Sequence, residues 1–529
     1  MARSLGINQT TSLGSATRIV ALMILVSRLT GFARFIVTLL FFRRGPITDA
    51  YVAAFNIPDT LAILISGGLL ATGFVPVFTQ LLTSGQTDEA RRTFRALLWL
   101  LIVGFGALSL VLLALTWTPI GALLAPGKTP EDIELYLRIL RILLVAQWLF
   151  VIGGAFAGTF NALRRFLLFA IQPVLYNVGI ILFGFLGGRL GWSIEAQAWG
   201  ALVGAAVGTL GVMVPFAIAN GLSLAPLWDL KNEGVRRVAK SFAPIVLGLA
   251  SGQIIALNLP RAFGKLVGAG DTTSLDAANR LMQVPLDLLA SSAAVALLPT
   301  LSRLWVEDAV PDMKREFGTA LKRNIRAMLF STAMLLALAP SLVALTLQNG
   351  KFSAHDARDT AYVLRCYALC LPALGAQQLL SRGFYATNQG AQVVSVGALA
   401  IALFFPLGWI GTQLHLPGGA GLALAAAAST SVLSCILARK LWVQWGETLG
   451  AKHLPQSAFR SLVLAVAAGV LSGLVAHLAG NLAASFASDQ ASPLVKLIAR
   501  LLVFGLGSGT GLLIWKLLSP KPAKRARPV

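Results

Sequence analysis

Charge is what this chain has least of. Only 12% of its 529 residues are Asp, Glu, Lys or Arg, about half the share of a water-soluble globular protein. Apolar residues make up 56%, and mean hydropathy is +0.77. That balance excludes an ordinary soluble enzyme and requires an integral membrane protein. Acids are scarcer still, 21 against 43 Lys and Arg, whereas a membrane glycosyltransferase would need paired carboxylates on a loop to hold a metal or act as base. The acidic run Glu131, Asp132, Glu134 reads instead as a solvated helix N-terminus. Three cysteines, Cys366, Cys370 and Cys435, cannot build a disulfide framework. Four scattered histidines, His355, His415, His453 and His477, suggest no zinc motif. Neither a metal nor a cofactor is expected.

What is present is apolar length. Fourteen apolar runs between residues 17 and 518 are separated by charges, Gly and Pro, and each meets the crossing length of about 20 residues. No run alternates with period two, so the fold class is all-α polytopic, with about fourteen spans. Lys and Arg gather in alternate loops, as at Arg91–Arg92, Arg164–Arg165, Lys314–Arg315 and Arg439–Lys440. Positive loops stay on the cytoplasmic side, which places both termini there. The net charge of +22 then follows from topology and anionic headgroups. Nucleic acid is not an expected partner, because the basic tail 519–529 lacks interleaved aromatics. The first span has no cleavage site after a short apolar core and reads as a retained helix.

A repeat is visible in the rare residues. Arg34, Asp49, Ala50 and Pro58 recur as Arg261, Asp276, Ala277 and Pro285, each 227 positions on, and Gly158–Ala162 resembles Gly383–Thr387 at an offset of 225. An offset of six spans keeps both copies in one orientation, the parallel arrangement of transporters with a substrate site between halves. The expected organisation is an N-lobe at 1–228, a C-lobe at 229–450 and two further helices within 451–518.

Charge inside a membrane span costs at least about 2.5–3.5 kcal/mol and calls for a partner or a watery cavity. The first span carries Ser27, Arg28, Gly31 and Arg34, and the eighth carries Asp276, Asn279, Arg280, Gln283 and Asp287. In the second, Asp49, Asn56, Asp59 and Thr60 surround Pro58. Arg28, Arg34, Arg261 and Arg280 are candidates to line a cationic cavity, with Ser27, Asp49, Asn56, Asp276, Asn279 and Gln283 as polar partners. The planar guanidinium donates two parallel hydrogen bonds to phosphate, so an anionic, phosphorylated substrate is expected. The plainer reading, an Arg that snorkels to a headgroup or pairs locally, has more weight for Arg28 and Arg261 near the span ends than for Arg34 and Arg280, and Asp49 and Asp276 fit helix caps as well as they fit a cavity.

The stretches Ser27–Arg34, Thr48–Tyr51, Ala54–Pro58, Phe74–Pro76, Asn279–Pro285, Leu297–Ser302, Gly350–Phe352 and Gly383–Tyr385 resemble the MurJ/MviN family, lipid II flippases of the multidrug/oligosaccharidyl-lipid/polysaccharide exporter superfamily. The resemblance implies two lobes around a cationic cavity and a tail groove in the last two helices. It implies alternating access that carries undecaprenyl-pyrophosphate-linked peptidoglycan precursor across the bacterial cytoplasmic membrane. It places functional charges at Arg28, Arg34, Asp49 and Arg280. Phe35, Ala62, Gly67 and Asn279 depart from the family's charged pattern. Residues 381–440 contain no Asp or Glu, so a sodium site there is not expected, and membrane potential is the better drive. Partners in this reading are lipid II or a related polyprenyl-pyrophosphate glycan, membrane lipids and, transiently, cell-wall synthesis machinery. The competing readings are a flippase for another lipid-linked glycan, a drug or cation antiporter of the same superfamily, and a non-transporting scaffold.

Overall fold

The computed structural model describes residues 13–62, 73–239, 251–445, 463–479 and 493–518, without positions 124, 126–128, 164, 253, 349, 388 and 465. Every regular element among these residues is helical. In chain order they are α1 (Leu13–Phe41), α2 (Pro46–Ala54), α3 (Asn56–Ala62), α4 (Val75–Thr83), α5 (Thr87–Leu115), α6 (Pro119–Leu123), α7 (Pro130–Ala162), α8 (Phe166–Leu190) and α9 (Glu195–Ala219). There follow α10 (Leu259–Ala262), α11 (Asp271–Val306), α12 (Val310–Thr346), α13 (Ala354–Ala368), α14 (Leu371–Ala386), α15 (Gly390–Gln413), α16 (Ala420–Trp445), α17 (Val466–Ala479) and α18 (Pro493–Leu518). The all-α expectation holds. Among the described residues nine helices are long and apolar enough to cross a bilayer, or ten if α13 and α14, bent by 42°, form one broken span. The runs expected at 50–82, 237–264 and 457–484 reach into residues outside the description.

Helix is the only open-ended solution for a backbone in lipid, since each N–H and C=O must find its partner within the segment. Polar side chains inside α1 follow the same rule. Thr30 donates to the carbonyls of Val26 and Ser27, and Thr38 to that of Arg34. Helix starts carry the chemistry that orphan amides need. Thr129 accepts from the Asp132 amide with Pro130 following, which puts Glu131 and Asp132 in the first turn of α7. Ser353 and Asp356 cap α13 reciprocally.

The chain divides into two compact units, Met1–Asp276 with Asn349–Phe352, and Ala277–Gln348 with Ser353–Val529. In the first, α1 packs along α8, α8 along α9, and both α9 and α2 against α7. Gly200 and Gly204 let α9 meet α8 backbone to backbone: a Cβ at Gly204 would lie 2.6 Å from the Leu175 carbonyl oxygen. Small residues four apart give this close approach where lipid offers no hydrophobic drive between helices. Phe74, Phe78, Phe94, Phe156 and Phe160 fill the core beneath α4, α5 and α7. In the second unit, α12 packs against α13, α14 and α18, while α14 and α15 pack on α16. Arg500 of α18 donates to the carbonyls of Ala344 and Gln348 at 3.0 and 2.8 Å, satisfying the C-terminal end of α12.

Candidate anion-binding site

Two short π-helical stretches, Ile254–Asn258 and Leu286–Ser291, interrupt the helices that carry the candidate charges. Such turns widen the helix and re-aim side chains. The first ends one residue before α10, so Asn258 and Arg261 both turn toward α3.

Arg34 sits half-buried on the inner part of α1. Its guanidinium carbon lies 5.1 Å from the centroid of the Phe55 ring and 5.9 Å from that of Tyr176. Both rings are held by further aromatics, Phe55 edge-on to Tyr51 and Tyr176 edge-on to Phe150, each at 5.1 Å. Among the described residues Arg34 has no carboxylate within ion-pair distance. A cation between aromatic faces is attracted by their quadrupoles, and with five N–H donors it can meet one hydroxyl and still offer donors to an anion. Phe55 and Asp59 are one helical turn apart, joined by the 2.8 Å bond from the Asp59 amide to the Phe55 carbonyl. The Tyr176 hydroxyl accepts a hydrogen bond from the Arg34 guanidinium and lies within electrostatic reach of the Asp59 carboxylate.

Arg261, expected to grip the anion, has both terminal nitrogens committed. One donates to Asp59 at 3.5 Å and the other to Asp276, and the Arg261 side chain is 2% exposed. Asn258 and Asn56 fasten the same two segments reciprocally. The Asn56 amide donates to the Asn258 carbonyl at 3.1 Å, and the Asn258 amide to Thr60 at 2.5 Å and to the Asn56 carbonyl at 3.3 Å.

Asp49 is buried and faces backbone. It accepts from the amides of Gly270 and Thr273 at 2.5 and 2.7 Å and from the Thr273 hydroxyl at 2.7 Å. It therefore caps the start of α11 from across the unit, where the helix dipole favours a negative charge. Arg44 adds a second tie to that helix start, donating to the Gly270 carbonyl and to Asp271, each at 3.0 Å. Ser27 lends its carbonyl to Asn177 of α8 at 3.3 Å. The side chain of Arg28 lies outside the described residues.

In the second unit Asn279 is fully buried and accepts from Gln283 at 2.6 Å, with Arg280 half-buried beside it. Asp276, Arg280, Gln283 and Asp287 stand at the i, i+4, i+7, i+11 spacing of one helical face, but the π-helical stretch after Pro285 breaks the 3.6-residue register just before Asp287, so that face does not run on to it. The first unit thus joins Arg261 to Asp276 and Asp59, ties Asn56 to Asn258 in the same two segments and sets Arg34 on Phe55 one turn from Asp59, while Asp49 is spent on the start of α11. Reasoning from spacing missed Phe55, Tyr176 and Asn258 as neighbours of these charges. Only Tyr176 carried a signal, a hydroxyl inside an apolar run. Among the described residues no group of three or more His, Cys, Asp or Glu could hold a metal ion.

Residues 11–488 match the family described as lipid II flippase MurJ. The chain belongs to this family. Over 397 residues it is 30% identical to a probable lipid II flippase MurJ of Bdellovibrio bacteriovorus, covering 72% of this chain and 73% of the relative. It is 27% identical over 441 residues to a probable lipid II flippase MurJ of Buchnera aphidicola, covering 80% and 82%. Among solved structures, a lipid II flippase MurJ in an inward closed conformation superimposes with a TM-score of 0.68 at 18% identity, covering 94% of this chain and 99% of that one. An inward-facing multidrug resistance MATE transporter of the MOP superfamily reaches 0.66 at 16%, covering 83% and 99%. At those identities the two likenesses speak for the fold alone. Family membership and the apolar helices together mark a bacterial inner-membrane protein.

Proposed function

We propose that this chain translocates lipid II across the bacterial cytoplasmic membrane, as a transporter and not an enzyme. The observation that carries the reading is Arg34, a guanidinium held between two rings inside an apolar bundle, hydrogen-bonded to the Tyr176 hydroxyl and with no carboxylate in ion-pair distance among the described residues. Pyrophosphate is the group that such a fork recognises, because it offers paired anionic oxygens and Arg keeps its charge in a dry site. Arg28 and Arg280 are further cations that would bind the same anion. Two six-helix lobes rock about it in alternating access, α17 and α18 guide the polyprenyl tail, and both termini stay cytoplasmic. Transport draws on the membrane potential, which acts on any charge carried through the field at about 2.3 kcal/mol per charge per 100 mV. Contact with cell-wall synthesis enzymes is transient.

The test is replacement of the native lipid II flippase in a depletion strain. The wild-type chain restores growth and outer-face lipid II, and the Arg34→Ala and Arg280→Ala variants, expressed at equal level, do not. A well-inserted wild type that fails to rescue sinks the assignment to lipid II.

A further inference from the structure

Arg261 is nearly sealed from solvent, yet it holds a carboxylate that sits beside another arginine. The Asp59 side chain is 29% exposed against 2% for Arg261 and 1% for Asp276. Asp59 is thus the half-open end of a buried Asp276–Arg261–Asp59 chain. It lies one turn beyond Phe55, whose ring carries the Arg34 guanidinium at 5.1 Å. Arg261 therefore holds the carboxylate that lies one helical turn from the ring under the other cation. The reciprocal Asn56–Asn258 bonds hold α3 and the 254–258 turn in register, which keeps Arg261 within reach of Asp59.

We propose that Arg261 is a positioning residue for Arg34: by binding Asp59 and Asp276 it keeps the neighbouring carboxylate off the Arg34 guanidinium, leaving that cation open to an incoming phosphate oxyanion. The identity of that anion as the pyrophosphate of lipid II rests on the function proposed above. The charge arrangement does not depend on it. A carboxylate in low dielectric that loses its cation turns to the next one within reach, because an unpaired buried charge is the costlier state. With Arg261 neutral, Asp59 swings one turn toward Phe55 and pairs with Arg34. The cation that the site needs free of carboxylates becomes a closed salt bridge.

The test uses the full-length chain in detergent and reads Arg34 directly. Phenylglyoxal attacks free guanidinium groups, and peptide mass spectrometry locates the adduct. In the wild type Arg34 is labelled and Arg261 is not. In Arg261→Gln, labelling of Arg34 falls roughly tenfold, as expected for a guanidinium that exchanges an open edge for a carboxylate at close range. In the uncharged triple variant Arg261→Gln, Asp59→Asn, Asp276→Asn, labelling returns, although Arg261 is still absent. Equal labelling of Arg34 in wild type and Arg261→Gln overturns the proposal, and so does a triple variant that stays unlabelled. Should Arg261→Gln fail to fold, Asp59→Asn alone decides. If Arg34 is labelled as in the wild type, Asp59 is indeed held away, whereas a large rise means that Asp59 already masks Arg34 and the proposal fails. A parallel arm measures lipid II binding, which drops in Arg261→Gln and recovers in the triple variant. A wild type that binds no lipid II removes the proposed substrate, while the labelling arm still rules on Arg261.

Discussion

Arg34 and Arg261 stand 227 positions apart in corresponding stretches of the chain, and they are used in opposite ways. Arg34 lies between two aromatic rings with no carboxylate in ion-pair distance among the described residues, whereas Arg261 is sealed between Asp59 and Asp276. The difference lies in the acids. Asp276, the counterpart of Asp49, turns onto its own arginine, while Asp49 spends both oxygens on the amides of Gly270 and Thr273 and on the Thr273 hydroxyl. Asp49 is thereby unavailable to Arg34. Two copies of one pattern become a structural ion pair and an open cation because one carboxylate found a helix start first.

The largest effect should come from breaking the closed member of the comparison. Asp276→Ala leaves Arg261 buried with only its longer contact to Asp59, and removing one partner of a buried pair costs about 3–5 kcal/mol. Thermal unfolding in detergent should show a marked drop in midpoint, partly recovered when Arg261→Met is added to remove the stranded charge. A midpoint within error of the wild type would mean that the triad contributes nothing to folding.

Next in size is the open member. Arg34→Ala should leave the unfolding midpoint nearly unchanged, since the residue holds no carboxylate, while lipid II binding weakens by roughly tenfold or more, the worth of about 1.5–3 kcal/mol for hydrogen bonds to a charged group. Arg34→Lys keeps the charge but loses the fork and should recover only part of that binding. Equal binding by Arg34→Ala and wild type would leave Arg34 as packing alone.

How much of this was readable beforehand depends on the range of the interaction. Spans were legible because lipid demands long apolar runs, and the all-α class followed from the lack of alternation. Arg34, Arg261, Asp49 and Asp276 stood out because charge is rare in such runs. Which acid takes which arginine was not legible, since it is decided by the path of residues 254–276 past α2 and α3, a contact between positions some 200 residues apart in sequence. The aromatic cradle escaped notice because Phe55 and Tyr176 look like ordinary lipid-facing or core residues until their rings are placed. The π-helical turns at 254–258 and 286–291 carry no composition mark and shift every spacing argument drawn across them.

Asp49 offers a sharper cut at the same comparison. Asp49→Asn keeps the side-chain size but loses the charge that its backbone donors assist, and loss of such a cap costs about 1 kcal/mol. A modest fall in unfolding midpoint, well short of that for Asp276→Ala, would fit an acid that serves a helix start. A loss of lipid II binding with no change in stability would instead place Asp49 at the substrate.

The smallest effect should come from the rings that hold Arg34. Phe55→Leu retains the apolar volume and removes one π face, and a cation–π contact is worth about 0.5–2 kcal/mol depending on how dry it is. The guanidinium is then less fixed, so lipid II binding should weaken severalfold while the buried triad and the unfolding midpoint are untouched. Tyr176→Phe keeps the face and loses only the hydroxyl that both Arg34 and Asp59 act on, and it should weaken binding less than Phe55→Leu. If Tyr176→Phe proved the more damaging of the two, the hydrogen bond from Arg34 to the hydroxyl, and not the ring, would be what orients the guanidinium.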